Sequence, residues 1–465
     1  MQAVYNFLLD LTNWPLAIVL IAGGLYFTVR TKFVQLGLLK ETCRILKERP
    51  GNAGGISSFG ALMVSTASRV GTGNIIGVSV AICAGGPGAV FWMWLTALIG
   101  GASAFVESTL AQIYKKRDAA GSCYGGPAFY IESACRSKVL AMLFTFAFIF
   151  TYGVGYNMLA SYNLQSTFEV FSFYKPGVTS WIIGGIIAVL FFITILGGNR
   201  RLVKLTGILV PFMGVGYILL ALIALAVNIK EIPEMFVVIF RSAFDFKAIF
   251  GGFAGSVLAL GLKRGLYSNE AGIGSAPNAA ASAEVSHPVK QGLVQMLSVF
   301  IDTNIICTAT ALMCLSSGIV PASAAKGAPY VQMALKQTFG NVGPIFIAVA
   351  MIFFAFTTLL GNFYYVENGF AYVFGRRPGK VSILVIRIVG ALLVFFGAGL
   401  QIDIAWGIAD IAQCVLAFIN IPVCAIIGGV AYLALKDYIR QKKEGLDPVY
   451  IARNNGVKQD TDYWK

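Results

Sequence analysis

The sequence predicts an all-α membrane protein with about eleven transmembrane helices, and three observations carry this prediction. The chain of 465 residues is 57% hydrophobic and only 12% charged, about half the charged share of an average soluble domain. Its mean hydropathy is +0.76. Apolar windows of about 20 residues, each long enough to cross about 30 Å of hydrocarbon, recur along most of the length.

The first apolar window, residues 14–29, has no basic leader before it and no small-residue cleavage site. We therefore interpret it as a retained span rather than a signal peptide. Length and loop charge predict ten further spans after it. The predicted spans are residues 14–30, 56–83, 87–113, 139–166, 180–197, 203–228, 248–283, 289–318, 341–360, 381–400 and 404–434.

Basic residues set the expected orientation because they cluster in alternate loops. The positive-inside rule makes those loops cytoplasmic, which places the N-terminus outside and the C-terminus in the cytosol of a cell (plasma) membrane. The net charge of +14 therefore predicts contact with the anionic headgroups of a lipid bilayer and no nucleic-acid partner. The basic clusters are residues 30–49, 115–117 with 136–138, 200–204, 376–380 and the tail from 436.

Two spans are interrupted by glycine and polar residues. The break in span 56–83 is Val70-Gly71-Thr72-Gly73-Asn74, and the break in span 248–283 is predicted over residues 265–274. In lipid, a backbone that leaves the helix exposes N–H and C=O groups that hydrocarbon cannot satisfy, so such breaks line a cavity. The alternative is that the glycines permit tight helix packing, as small-xxx-small motifs do.

The breaks lie five spans apart and would cross the membrane in opposite directions, which is typical of an inverted repeat of two five-helix halves. A short echo, R-x4-N-x2-G, starts at Arg69 and again at Arg264. We predict a leading helix with a cytoplasmic amphipathic segment and two five-span repeats, followed by a cytoplasmic polar tail that is flexible beyond residue 445. The corresponding boundaries are residues 1–55, 56–228, 229–435 and 436–465.

At a broken helix, free N–H groups suit a carboxylate, and free carbonyls suit an alkali cation or an ammonium group. Glycines in the first break allow a ligand to approach the backbone closely. Neutral oxygens and amides come from Thr72, Asn74, Ser268 and Asn269. Sodium prefers oxygen ligands of this kind. The sequence therefore predicts a carrier with a midplane site for a small zwitterion and a cation.

Ionisable residues at membrane depth are further candidates because each is costly there. Arg264 and Glu270 flank one break and could neutralise each other, and Arg69 could pair with Glu107 or Asp302. Such pairs would be structural rather than functional.

Thr357 and Thr358 lie in the ninth predicted span, where adjacent hydroxyls could bind a cation or bond back to the preceding turn.

The eight cysteines have neither paired nor metal-ligand spacing. His287, the only histidine, cannot build a metal site or a proton relay. With no Ser/His pair, metal cluster or phosphate-binding loop, the sequence does not indicate an enzyme.

The stretch GGPGAVFWMWLTALIGG, residues 85–101, closely resembles the signature of the sodium:alanine (alanine or glycine:cation) symporter family. VGTGNIIGV before it, and RGLYSNEAGIGSAP, HPVKQGLVQM and FIDTNIICTATAL after it, resemble other blocks of that family over residues 14–435. The resemblance implies a leucine-transporter-like fold with one leading helix before the five-plus-five repeat. It also implies uptake of a small neutral amino acid with sodium, or sometimes protons, and no organic cofactor.

The resemblance also implies roles for single residues. Those that would hold the substrate carboxylate are Gly71, Thr72 and Gly73, and those that would face its amino group and side chain are Ser268, Asn269 and Gly272. One sodium ion would bind the carbonyls of Ala67 and Val70 and the hydroxyls of Thr357 and Thr358, while Asn74 could assist a second cation or the substrate.

One departure from the family bears on specificity. Many alanine-type members carry Trp after the Leu-Gly of the ninth span, where this chain has Asn362. The smaller side chain opens volume and adds a hydrogen-bond donor and an acceptor. The resemblance therefore leaves room for a larger polar amino acid such as glutamine beside alanine and glycine.

Taken together, these observations predict a sodium-coupled amino-acid symporter that works by alternating access. A proton-coupled symporter is the alternative within the same class. A passive channel would show no uphill accumulation, and an amino-acid sensor usually needs an appended output domain.

Overall fold

The computed structural model describes residues 2–48, 55–118, 121–245, 256–321, 326–376, 378–457 and 461–464. These residues are mostly helical, and the strands among them are an antiparallel pair of two residues each, Lys116–Arg117 and Cys123–Tyr124. The α-helices of the first half are Gln2–Leu11, Trp14–Arg30, Val34–Gly37, Leu39–Ile45, Ser58–Arg69, Val78–Gly85, Ala89–Ile113, Pro127–Cys135, Lys138–Ile149, Tyr156–Ser166, Thr179–Ile195 and Gly198–Val227. Those of the second half are Ile232–Ala243, Val257–Asn269, Ala276–Ser282, Pro288–Val299, Thr308–Leu315, Ala328–Phe339, Val342–Val373, Lys380–Gly397, Ile402–Ile427 and Gly429–Lys443. Three π-helical turns, Gly73–Gly77, Phe150–Gly155 and Phe300–Cys307, and two 3₁₀ turns, Ile229–Glu231 and Arg453–Asn455, complete the described structure.

Within the described residues, eight helical stretches are long and apolar enough to cross a membrane, and a ninth follows if Ser58–Arg69 and Gly73–Gly85 form one bent span. Two further predicted spans fall below that length. Thr179–Ile195 has 17 residues, and Val257–Asn269 is separated by a break from Ala276–Ser282. The protein is therefore an integral multi-pass membrane protein, and the count of eleven spans stays a prediction.

The helix Ala89–Ile113 organises the interior. It packs against Trp14–Arg30, against both halves of the second interrupted span, and against Pro288–Val299. From its eleventh residue onward nearly every side chain is buried, including the polar ones. Such burial requires internal hydrogen-bond partners, and for Glu107 the second break supplies them through the N–H groups of Gly272 and Gly274.

The ninth span is longer than predicted. The sequence suggested an end at residue 360, but the helix Val342–Val373 continues through Gly361 and Asn362. A Cβ atom at Gly361 would lie 2.5 Å from the backbone N of Ser68, so this glycine permits close packing of two helices and does not end one.

The tail beyond residue 445 packs on the protein body, and the prediction that it is flexible was wrong. The Trp464 side chain is 6% exposed, and its indole N–H donates to the Gln112 carbonyl at 2.7 Å. The Tyr450 backbone N–H donates to the Ser286 carbonyl at 3.0 Å. The average polarity of the tail concealed these aromatic residues, whose burial favours a docked tail.

His287 caps the helix Pro288–Val299 under this tail. Its Nδ1 accepts from the Val289 N–H at 3.2 Å, and its Nε2 lies 3.5 Å from Asp437 Oδ2. The imidazole is completely buried. Burial lowers the pKa of His287 from 6.5 to about 4, although the nearby Asp437 carboxylate acts in the opposite direction.

This histidine predicts a loss of stability in mild acid. Between pH 6.5 and 4 the unfolded chain binds a proton at residue 287 that the folded chain does not, so stability falls as the pH drops. The loss between pH 7 and pH 5 is expected to be about 2 kcal/mol. Thermal unfolding of detergent-solubilised protein checks this, with His287→Asn as a non-titrating helix cap. Equal losses in the wild type and in the variant would contradict the assignment.

Candidate functional site

The first break bends its span by 51° between Ser58–Arg69 and Gly73–Gly85. The Gly71 N–H donates to Asn74 Oδ1 at 2.7 Å and not to the Ala67 carbonyl four residues earlier. The Ala67 carbonyl therefore loses its intrahelical partner, as the last carbonyls of any helix do. This side-chain bond explains why the helix ends where the sequence predicted.

The second break is shorter than predicted. Residues 265–269 remain helical, and the interruption lies between Val257–Asn269 and Ala276–Ser282. The chain turns at Glu270, with φ of +53°, and again at Gly272 and Gly274, with φ of +89° and +85°. Glycine adopts this left-handed region freely, whereas a residue with a Cβ atom does so at a cost. The sequence signal was right about the glycines but extended the break too far toward the N-terminus.

The two breaks lie against each other. A Cβ atom at Gly73 would lie 2.9 Å from the Tyr267 ring and 3.5 Å from the Ser268 Cα. Asn74 Nδ2 donates to Ser268 Oγ at 3.1 Å, and the Thr72 hydroxyl lies 3.4 Å from that of Tyr267. Four of the residues predicted to form the substrate site are thus brought together.

Asp302, which the sequence suggested only as a structural partner of Arg69, joins the two breaks. Its Oδ1 accepts from Asn74 Nδ2 at 2.7 Å, and its Oδ2 accepts from the hydroxyls of Ser268 at 2.7 Å and Thr303 at 2.8 Å. We call Asn74, Ser268, Asp302 and Thr303 the Asp302 cluster, and all four side chains are completely buried. An acidic residue inside an apolar span was the sequence signal that could have found it.

A second polar group connects the first break to the ninth span. The Ser68 hydroxyl lies 3.0 Å from Glu270 Oε1 and 2.7 Å from Asn362 Oδ1. Asn362 Nδ2 donates to Asn157 Oδ1 at 3.1 Å. Asn362 therefore lies in the wall formed by Ser68 and Glu270, outside the Asp302 cluster.

Glu107 occupies the free N–H groups of the second break. Its carboxylate accepts from Gly272 N at 3.3 Å, Gly274 N at 3.1 Å and Asn420 Nδ2 at 2.8 Å. The amide oxygen of Asn269 caps the same turn by accepting from the backbone N–H two residues on, at 3.0 Å. The backbone N–H of Gly272 thus binds an anion, as expected at a helix break, but this anion is the side chain of Glu107 and not a ligand.

Arg264 pairs with Asp410 and not with Glu270. Its guanidinium carbon lies 4.1 Å from the centre of the Trp406 ring, which adds a cation–π contact. The predicted pair failed because the left-handed turn at Glu270 directs that side chain toward Ser68.

Arg69 is the buried cation that interacts electrostatically with Glu107, Glu270 and Asp302. Its guanidinium donates to the Gln295 carbonyl at 3.2 Å and to neither of the carboxylates predicted as its partner. Three carboxylates therefore share one guanidinium. Because a buried charge is costly without a partner, this surplus of negative charge favours a bound cation or bound protons.

The two predicted threonine ligands point in different directions. A Cβ atom at Gly71 would overlap the Thr358 hydroxyl, which lies 3.5 Å from the Ser68 carbonyl oxygen. The Thr357 hydroxyl donates to the carbonyl four residues earlier at 2.9 Å. Val70, with ψ of 90°, has left the helix, so its carbonyl is not directed along the helix axis. Thr358 thus lies at the first break, whereas the Thr357 hydroxyl bonds to its own helix.

Contacts between helices flank the Asp302 cluster and the two breaks on both sides. Toward the start of the second broken span, the Tyr267 ring packs on the Trp406 ring, with their centres 4.8 Å apart, beside the Arg264–Asp410 pair. Toward its other end, the Glu284 N–H donates to the Ile56 carbonyl at 3.0 Å and joins the two broken spans. These two contacts lie on opposite sides of the site along the second broken span.

A family model described as the sodium:alanine symporter family matches residues 1–452. The putative sodium/proton-dependent alanine carrier protein YrbD of Bacillus subtilis (strain 168) is 41% identical, over 98% of this chain and 96% of its own. The probable sodium/glutamine symporter GlnT of the same organism is 38% identical, over 98% and 96% of the two chains. The sodium/alanine symporter AgcS of Methanococcus maripaludis is 37% identical, over 92% and 95%.

Among solved structures, MhsT in complex with L-phenylalanine is similar with a TM-score of 0.57. The identity is 16%, and the match covers 83% of this chain and 93% of that one, which shows a shared fold. The match of the family model over residues 1–452, with relatives 37–41% identical over more than nine-tenths of both chains, identifies the chain as a member of the sodium:alanine symporter family.

Proposed function

We propose that this chain is a sodium-coupled secondary active symporter that imports a small neutral amino acid by alternating access. The observation that carries the proposal is the meeting of two broken spans at the fully buried Asp302 cluster. Relatives named as sodium/alanine and sodium/glutamine symporters support it. Sodium is the coupling ion, no organic cofactor takes part, and transport requires no enzymatic step.

The cation site is supported by the charge balance and by the end of the first half-helix. Sodium binds the carbonyls of Ala67 and Val70 and the hydroxyl of Thr358, with Thr357 joining if its hydroxyl turns away from its own helix. Neutral oxygens of this kind suit a hard cation. The carboxylate of Asp302, which Asn74 orients, supplies negative charge for a second sodium ion or for the ammonium group of the substrate.

The substrate carboxylate binds at Gly71, Thr72 and Gly73, at the start of the resumed helix, and the Gly71 N–H becomes available to it when Asn74 Oδ1 releases that group. Its amino group and side chain face the second break, at Ser268, Asn269 and Gly272. Asn362 acts on selectivity from the adjoining wall, through Ser68. Alanine, glycine and glutamine are the substrates to test first.

Alternating access follows from the two contacts that flank the site. One helix bundle rocks against a scaffold about the fixed site, so that the Trp406 side and the Ile56 side open in turn. The moving parts belong to an inverted repeat of residues 56–228 and 229–435, preceded by the leading segment 1–55 and followed by the segment 436–465. The N-terminus lies outside and the C-terminus in the cytoplasm, in agreement with the basic loops.

Uptake by proteoliposomes tests this function. With an inward sodium gradient, labelled alanine or glutamine is expected to accumulate above its external concentration, and replacing sodium by choline should abolish the accumulation. Equilibration without accumulation would identify a passive pathway and overturn the proposal.

Proton coupling is the second candidate, because Glu107, Glu270 and Asp302 could each carry a proton in place of a bound cation. One relative is named a sodium/proton-dependent alanine carrier, in agreement with either ion. A pH gradient imposed in choline medium separates the two. Accumulation that follows the pH gradient would replace sodium by protons and retain the symport mechanism.

A further inference from the structure

A groove opens where the first long helix, Trp14–Arg30, ends. It has a volume of about 930 Å³, at the upper end of the range for small-molecule sites. The helix Gly429–Lys443 and the short helix Val34–Gly37 form its walls. None of the described residues that line the groove belongs to either break or to the Asp302 cluster.

The floor of the groove is apolar and open to the surroundings. Ile426 is 78% exposed and Leu433 is 46% exposed, and Val430 lies between them along the same wall. Exposed aliphatic side chains at the end of a membrane span are suited to contact acyl chains.

The rim of the groove is basic. Arg30, Lys32 and Lys436 line it, all three are exposed, and none forms an ion pair with another described residue. No acidic residue is found among its described lining residues. The Arg30 guanidinium carbon lies 4.8 Å from the centre of the Tyr432 ring, and this stacking holds the charge at the rim.

An apolar floor below three unpaired cations selects an amphiphile with an anionic head. The rim lies where the span ends, which is the depth of the lipid headgroups, and on the side that the basic loops assign to the cytoplasm. Arginine pairs with phosphate through two parallel hydrogen bonds, and basic pockets at this depth are typical of sites for anionic headgroups.

We propose that this groove is a specific site for an anionic glycerophospholipid of the membrane. The phosphate lies among Arg30, Lys32 and Lys436, and an acyl chain follows Ile426 and Leu433. The lipid braces the helix Gly429–Lys443 against the end of Trp14–Arg30 and so stabilises the cytoplasmic face. This site does not depend on the transport function proposed above.

Lipid-induced thermal stabilisation of the purified, delipidated full chain tests the proposal. Phosphatidylglycerol is expected to raise the unfolding temperature more than phosphatidylcholine with the same acyl chains, and inorganic phosphate should have no effect. The combined variant Arg30→Gln, Lys32→Gln and Lys436→Gln should lose at least half of the phosphatidylglycerol-specific shift. Native mass spectrometry should show a matching loss of bound phosphatidylglycerol.

The matched control removes three exposed basic residues outside the groove, as Lys204→Gln, Arg376→Gln and Lys380→Gln, and should keep the full shift. The single variant Lys436→Gln replaces the triple variant if the latter does not fold. Equal losses in the groove variant and the control would overturn the proposal, because the effect would then come from total charge. Equal stabilisation by both lipids, or a second copy of the chain retained in place of lipid, would also overturn it.

Discussion

Asp302→Asn is expected to reduce sodium-dependent uptake strongly while leaving a folded protein. The substitution preserves shape but removes the negative charge at the centre of the Asp302 cluster. Hydrogen bonds to a charged group contribute about 1.5–3 kcal/mol, so sodium-activated uptake should fall by about ten- to a hundredfold. With its carboxylate oxygens bonded to Asn74, Ser268 and Thr303, this residue couples both breaks to the charge of the bound cation or ammonium.

Two measurements separate this effect from misfolding. Thermal unfolding with and without sodium should show a sodium-dependent shift in the wild type and a smaller shift in the Asp302 variant. Asp403→Asn is the matched control, because Asp403 is 84% exposed at its side chain and pairs with Lys326 at the surface. Surface pairs of this kind contribute little, so this variant should transport normally. An unchanged sodium dependence in Asp302→Asn would remove the cluster from the cation pathway.

The position of the breaks was predictable because backbone N–H and C=O groups in hydrocarbon must be hydrogen-bonded within the protein. Glycine and polar residues within a membrane-length apolar window indicated both interruptions, and the structure has both. The extent of the second break was not predictable. Gly265 and Gly272 both lie in the predicted break, but Gly265 packs against Thr96 within a helix and Gly272 turns with positive φ. Only tertiary packing distinguishes a packing glycine from a turn glycine.

Partners of the buried charges were harder to predict than the breaks. Asp410, the partner of Arg264, is 146 residues away in the sequence, and nothing local indicates the pair. Glu107 likewise binds a break in another span. Asn74 and Ser268 were predictable because each lies at or beside a break, whereas Asp302 lies in an apolar span for which the sequence indicated no break. Its face toward the breaks depends on the π-helical turn Phe300–Cys307, which shifts the helix register.

Gly71→Ala is expected to reduce uptake at least tenfold, because the first break and the ninth span touch at this glycine. The added Cβ would overlap the Thr358 hydroxyl and lie 3.1 Å from the Thr358 Cβ. Overpacking of this kind costs about 1–3 kcal/mol, and relief requires the two helices to separate at the proposed sodium site. Gly216→Ala is the matched control, since a Cβ there meets nothing within 4 Å. In a helix interior that change is neutral or stabilising by about 0.5–1 kcal/mol.

The double variant Gly71→Ala with Thr358→Ala distinguishes steric damage from loss of a sodium ligand. Removing the Thr358 hydroxyl relieves the overlap, so the double variant should regain most of the thermal stability that Gly71→Ala loses. It should not regain sodium-dependent uptake, because the hydroxyl that relieves the clash is also the proposed ligand. Thr358→Ala alone should be stable and equally unresponsive to sodium. If the double variant recovered both stability and sodium dependence, Thr358 would be a packing residue, and the cation would have to bind elsewhere along the broken backbone.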